Sequence, residues 1–133
     1  IAPDVDVESF RTRFPRVRDH FGRVTLYSSA NDLLLGFSAL INGGRRLGQG
    51  GDKALVLPGL ETVDVSRVPR HHPAAHEYQY YNPHVVADLV ELLRDGKGAA
   101  QRSGTTTRET GDERYWVLRE RDDDDPEKAT GYP

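Results

Sequence analysis

Apolar and polar positions along this chain sort into a few short regular segments separated by loops rich in glycine, proline and asparagine. Val7 to about His20 is spaced as a short helix, and Pro15 is expected to break or restart it, because proline has no N–H for a helix interior. Arg23-Val24-Thr25-Leu26-Tyr27-Ser28 is rich in β-branched and aromatic residues and predicts a buried strand. Leu33, Phe37, Leu40 and Ile41 then recur at helical spacing, with Asn31 or Asp32 placed to cap the helix and Asn42-Gly43-Gly44 placed to end it. A second strand is expected over Ala54 to Leu57, continuing past Pro58-Gly59 as Glu61 to Val65. The last helix begins at Asn82-Pro83, presents Val86, Leu89, Val90 and Leu93 as its apolar stripe, and closes at Gly96.

Strand, helix, strand in this order is a crossover unit, which implies a parallel sheet with helices on its faces. A parallel sheet is covered on both sides, and two or three strands cannot meet that condition alone, so further strands are expected from elsewhere. The opening Ile1-Ala2-Pro3-Asp4 itself reads as the end of a buried strand. The fold class is therefore α/β, organised as residues 1–95 followed by a polar tail over 96–133. That tail is expected to be largely disordered, since Gly, Ser, Thr and the run Asp122 to Asp125 bury too little apolar surface to offset ordering entropy. Tyr115-Trp116-Val117-Leu118 is the exception and could dock as a short strand.

Charge narrows the partners. Residues 1–94 balance 11 Lys and Arg against 11 Asp and Glu, so the net charge of −3 resides in the tail. No basic stripe with interleaved aromatics offers itself to phosphates, which argues against nucleic acid. No apolar run is long enough to cross a membrane and no signal peptide opens the chain, which favours a cytoplasmic location. The absence of cysteine excludes disulfides, thiol nucleophiles and thiolate metal sites. No cofactor or metal is expected. His72 and His76 stand four apart with His71 and Glu77 beside them, but Pro73 interrupts any helix there and the His-Glu-x-x-His pattern is missing. Gly48-Gln49-Gly50-Gly51 follows a helix rather than a strand, which suits a flexible connector better than a phosphate loop.

Two residues stand where chemistry would be expected. Ligands bind beyond the C-terminal ends of strands in open α/β sheets. Asp32 follows the first predicted strand and His76 lies in the loop after the second. A carboxylate followed by a histidine is the latter part of the Ser…Asp…His order of α/β hydrolases. In such a triad the carboxylate fixes the imidazole tautomer and stabilises the imidazolium formed when serine gives up its proton. Asp4 and Asp6 are rivals for the acid, and His71 and His72 for the base; Asp32 could also simply cap its helix.

The ordered set Asp4-Val5-Asp6-Val7, Tyr27-Ser28-Ser29-Ala30-Asn31-Asp32, Gly59-Leu60-Glu61-Thr62-Val63-Asp64-Val65-Ser66 and His76-Glu77-Tyr78 resembles the C-terminal half of the bacterial alpha/beta hydrolase family of unknown function. The resemblance covers roughly residues 1–95. It implies the C-terminal strand–helix–strand-plus-helix portion of an α/β-hydrolase sheet, with Asp32 as triad acid and His76 as general base. It implies a serine hydrolase of the esterase or lipase kind, acting on a small ester or other acyl substrate. There is no Gly-x-Ser-x-Gly; the nearest match, Gly36-Phe37-Ser38-Ala39-Leu40, lies inside a predicted helix. The nucleophile is therefore expected upstream of Ile1, and this chain alone should be inactive. The alternative is a non-catalytic hydrolase-like module that associates with a partner chain, or with itself, through an exposed sheet edge.

Overall fold

The computed structural model describes residues 3–68 and 82–119. Its elements run α1 (Val7–Arg18), β1 (Val24–Ser28), α2 (Leu33–Asn42), β2 (Leu60–Asp64), α3 (Pro83–Asp95), β3 (Thr105–Thr110) and β4 (Glu113–Leu118), with short 3-10 turns at Gly51–Lys53 and Ala99–Gln101. The four strands form one sheet in the order β1-β2-β4-β3. β1 and β2 are parallel neighbours in register Val24 with Leu60 through Ser28 with Asp64, so the expected strand–helix–strand unit is present. β4 continues the parallel sheet beyond β2, and β3 closes the edge as its antiparallel partner.

Period-two alternation divides the side chains of β1 and β2 between two cores. Leu26 and Leu60 join Val7 and Phe14 of α1 and the loop residues Leu47 and Leu55 on one face. Tyr27 and Val63 join Val65, Val68, Val85, Ala99 and Leu118 on the other. Burial of both faces is what a parallel sheet requires.

Several local expectations are corrected. α1 continues through Pro15 instead of breaking there. Residues 54–57 are not a strand: Leu55 turns into the core and its carbonyl accepts the Thr62 hydroxyl. A turn bonding Leu60 N to Leu57 O at 3.0 Å precedes β2, which therefore begins only at Leu60.

α3 is rotated from its expected phase. It buries Val85 and Asp88, with Leu89 and Leu92 packed behind, and leaves Val86, Val90 and Leu93 exposed. The helix has two apolar stripes, so periodicity alone does not phase it; the polar Asp88 faces inward because it has buried partners there. Its ends follow the local signals. Asn82 Oδ1 accepts the His84 and Val85 amides at 2.9 and 3.3 Å, and Gly96 closes the helix at φ 63°, in the left-handed region.

The polar segment after α3 is described through Arg119, and these residues form regular structure. The docking strand expected at 115–118 runs Glu113–Leu118 and brings a partner, β3, whose Thr-Thr-Thr-Arg-Glu-Thr sequence carries little apolar signal. Residues 120–133, including Asp122 to Asp125, lie outside the described residues. Among the described residues no helix is long and apolar enough to cross a membrane.

Candidate active site at the C-terminal ends of two strands

Because β1 and β2 are parallel and adjacent, the connections after Ser28 and after Asp64 leave from the same rim of the sheet. The first leads through Ser29, Ala30 and Asn31 to Asp32, which is buried at 4% exposure immediately before α2. The second leads through Val65 and Ser66 toward residues 69–81. His76, with His71, His72, Glu77 and the tyrosines at 78, 80 and 81, lies outside the described residues.

The loop carrying Asp32 is pinned at successive residues. Val65 N donates to Ser28 O at 2.8 Å, and Ser29 N donates to Gly48 O at 2.8 Å. Ala30 N donates to Ser66 Oγ at 2.7 Å, and Asn31 Nδ2 donates to the Ser66 carbonyl at 2.5 Å. Asn31 N also donates to Ser29 Oγ at 3.2 Å. Asn31 thus bridges to the neighbouring connection, a role beyond the helix cap expected from its position.

Asp64 anchors this arrangement from the last position of β2. One carboxylate oxygen accepts the Ser66 amide at 3.0 Å and also the Ser66 hydroxyl. The other accepts the Gly51 amide at 3.2 Å. Gly48–Gly51 is thereby corrected from flexible connector to packed component: Gly48, Gln49 and Gly50 are buried across the strand ends. A Cβ on Gly50 would stand 2.6 Å from Asp64 Oδ1 and 2.9 Å from the amide nitrogens of Ser29 and Ala30. Only glycine lets the three segments approach so closely. Sequence reasoning gave Asp64 and Ser66 no role of their own and read Gly50 only as part of a connector. An Asp-x-Ser at a strand end, whose side chains turn back onto nearby amides, was the available signal.

The rival acids have structural partners. Asp6 caps α1, accepting Ser9 N at 2.8 Å, and that amide holds its carboxyl below the usual carboxylate range. Asp4 accepts the Ser38 hydroxyl at 2.9 Å and pairs with Arg46 Nε at 2.5 Å. Ser38 lies within α2 and not on a strand-to-helix elbow, so it lacks the setting of a hydrolase nucleophile. Among the described residues, no group of three or more His, Asp or Glu could hold a metal ion.

A second polar cluster lies on the opposite face, between β1, α3 and the turn after it. The Tyr27 hydroxyl donates to Asp88 Oδ2, and Arg102 Nη1 lies 3.2 Å from the Tyr27 oxygen and 3.3 Å from Asp88 Oδ2. Burial raises the Asp88 pKa despite the opposing pull of the Tyr27 hydrogen bond and Arg102. Burial, then the neighbouring carboxylate, raises that of Tyr27. This cluster joins elements and is closed to solvent.

A family model described as alpha/beta hydrolase of unknown function matches residues 1–94, which takes in β1, α2, β2 and nearly all of α3. The hairpin β3–β4 lies beyond the matched segment. No curated protein and no solved structure matches the chain.

Proposed function

From membership of the family of alpha/beta hydrolases of unknown function, to which this chain belongs, we propose that it supplies the acid and the base of a serine-hydrolase triad, Asp32 and His76. The observation that carries this reading is a buried carboxylate just past the end of β1, on the rim from which the connection bearing His76 departs. His76 takes the proton of the nucleophilic serine as it attacks an ester or other acyl carbonyl, then returns a proton to the leaving group. Asp32 orients the imidazole and stabilises its charged form. No Gly-x-Ser-x-Gly occurs in the 133 residues, so a segment outside this chain supplies the serine and its oxyanion hole.

The test is covalent labelling of the hydrolase that contains this chain with a fluorophosphonate probe. A single serine is expected to label, with His76→Ala abolishing the reaction and Asp32→Asn slowing it severely. Undiminished labelling in His76→Ala would remove the reading.

A second reading is favoured by one observation: among the described residues the outer edge of β1 has no strand partner. An open edge of this kind invites pairing with another chain. Light scattering of the hydrolase that contains this chain, where the rest of the sheet is available to β1, separates the two readings. Association that persists when β1 is paired with the rest of a hydrolase sheet supports an interaction module, and a dispersed monomer opposes it.

A further inference from the structure

We propose that Ser66 and Asp64 form a positioning pair that sets the location of Asp32, an inference that rests on the acid role assigned to Asp32 above. The Ser66 hydroxyl has one proton, and it goes to Asp64 Oδ1. Its lone pairs are thereby presented to the Ala30 amide at 2.7 Å. The Ser66 carbonyl takes Asn31 Nδ2 at 2.5 Å, so both residues preceding Asp32 are tied to one point on the neighbouring connection. Asp64 holds that point from two directions, through the Ser66 amide on one oxygen and the Gly51 amide on the other. Hydrogen bonds to an ionised carboxylate are roughly twice as strong as neutral ones, and a hydroxyl already donating to one is a better acceptor.

The placement of this chain of bonds separates it from general support. The two apolar cores contain neither Ser66 nor Asp64, and the β1–β2 ladder is made by backbone groups. Removing the Ser66 hydroxyl leaves both cores and the ladder in place and releases the Ala30 amide next to Asn31 and Asp32. A triad carboxylate must be held within about 0.5 Å of its productive position, and a displacement of about 1 Å can lower turnover about 100-fold.

The experiment compares Ser66→Ala, Ser66→Thr, Asn31→Ala and His76→Ala in the hydrolase that contains this chain, using an activated acetyl ester, alongside amide exchange at Ala30. Ser66→Ala is expected to lower kcat about 10- to 100-fold with KM nearly unchanged. Ser66→Thr, which keeps the hydroxyl, should restore most of the loss, and Asn31→Ala should lower kcat in the same direction. Amide exchange at Ala30 should quicken in Ser66→Ala while Val63 stays protected. A wild-type kcat in Ser66→Ala together with an inactive His76→Ala would overturn the positioning pair and leave the triad reading standing. Full activity in His76→Ala would overturn the triad reading and the catalytic role of the pair with it.

Discussion

Arg102 Nη1 lies 3.3 Å from Asp88 Oδ2, and the two side chains are 0% and 1% exposed. Asp88 belongs to α3 within the family-matched segment, whereas Arg102 follows it, so this ion pair fastens the C-terminal hairpin region to the hydrolase portion. Arg102 Nη2 also lies 3.9 Å from Glu61 Oε2, and the Tyr27 hydroxyl donates to Asp88, so the pair is part of a wider buried network.

Breaking this pair from one side strands a buried charge. Arg102→Met should therefore destabilise the chain by about 3–5 kcal/mol. Adding both Asp88→Leu and Tyr27→Phe should recover most of that loss, since the Tyr27 hydroxyl donates to Asp88 and apolar residues of similar volume can replace a buried polar cluster at little cost only when no member is left unpaired. Chemical denaturation of the single and triple variants checks this; a triple variant as unstable as the single one would contradict it.

Two carboxylates on α3 respond to acid with opposite signs. Hydrogen bonds from Lys97 and Ser103 hold Glu91 down to about 2, from an ordinary value of 4.5. Its stabilisation is complete above pH 4.5 and is lost as pH falls toward 2. Asp88, raised from 3.8 by burial, contributes most below pH 3.8 and loses that contribution as pH rises through its elevated value. Glu91→Gln should therefore be less stable than the native chain at neutral pH, with the difference closing in acid. Asp88→Asn should flatten the pH dependence above pH 3.8, at a lower overall stability because it leaves the buried Arg102 charge without this carboxylate. Urea midpoints across pH read both effects, and a pH-independent difference for Glu91→Gln would contradict the first.

Gly50 has φ −97° and ψ −163°, an extended conformation open to any residue, so its need for glycine is steric. Gly50→Ala should cost about 1–3 kcal/mol as Asp64 and the Ser29–Ala30 amides are pushed apart. Gly22→Ala has nothing within 4 Å of the added carbon and serves as the control. Equal thermal midpoints for the two variants would contradict the close approach.

The order β1, α2, β2 and the ends of α3 were legible because their signals are local: a β-branched run, a capping Asn82-Pro83, a closing Gly96. The phase of α3 was legible only at Leu89, which packs inward as expected; Val85 and Leu92 compete with Val86, Val90 and Leu93, and the inward face is decided by Tyr27 and Arg102, distant in sequence. β3 was hidden because a threonine-rich edge strand needs only one partner and little apolar surface. At the candidate site, Asp32 was legible from its place after a strand. The Asp64–Ser66–Ala30 chain was not, because it depends on the register that sets Ser28 beside Asp64.

The central claim is that Asp32 and His76 act as one catalytic unit, and a kinetic double-mutant cycle on ester hydrolysis tests it most directly. His76→Ala should lower kcat by about 10⁴-fold or more, and Asp32→Asn by a smaller but large factor. The double variant should be no slower than His76→Ala alone, because a carboxylate that works through the imidazole has nothing to orient once the imidazole is gone. Losses that multiply in the double variant would show two independent residues and contradict the pairing.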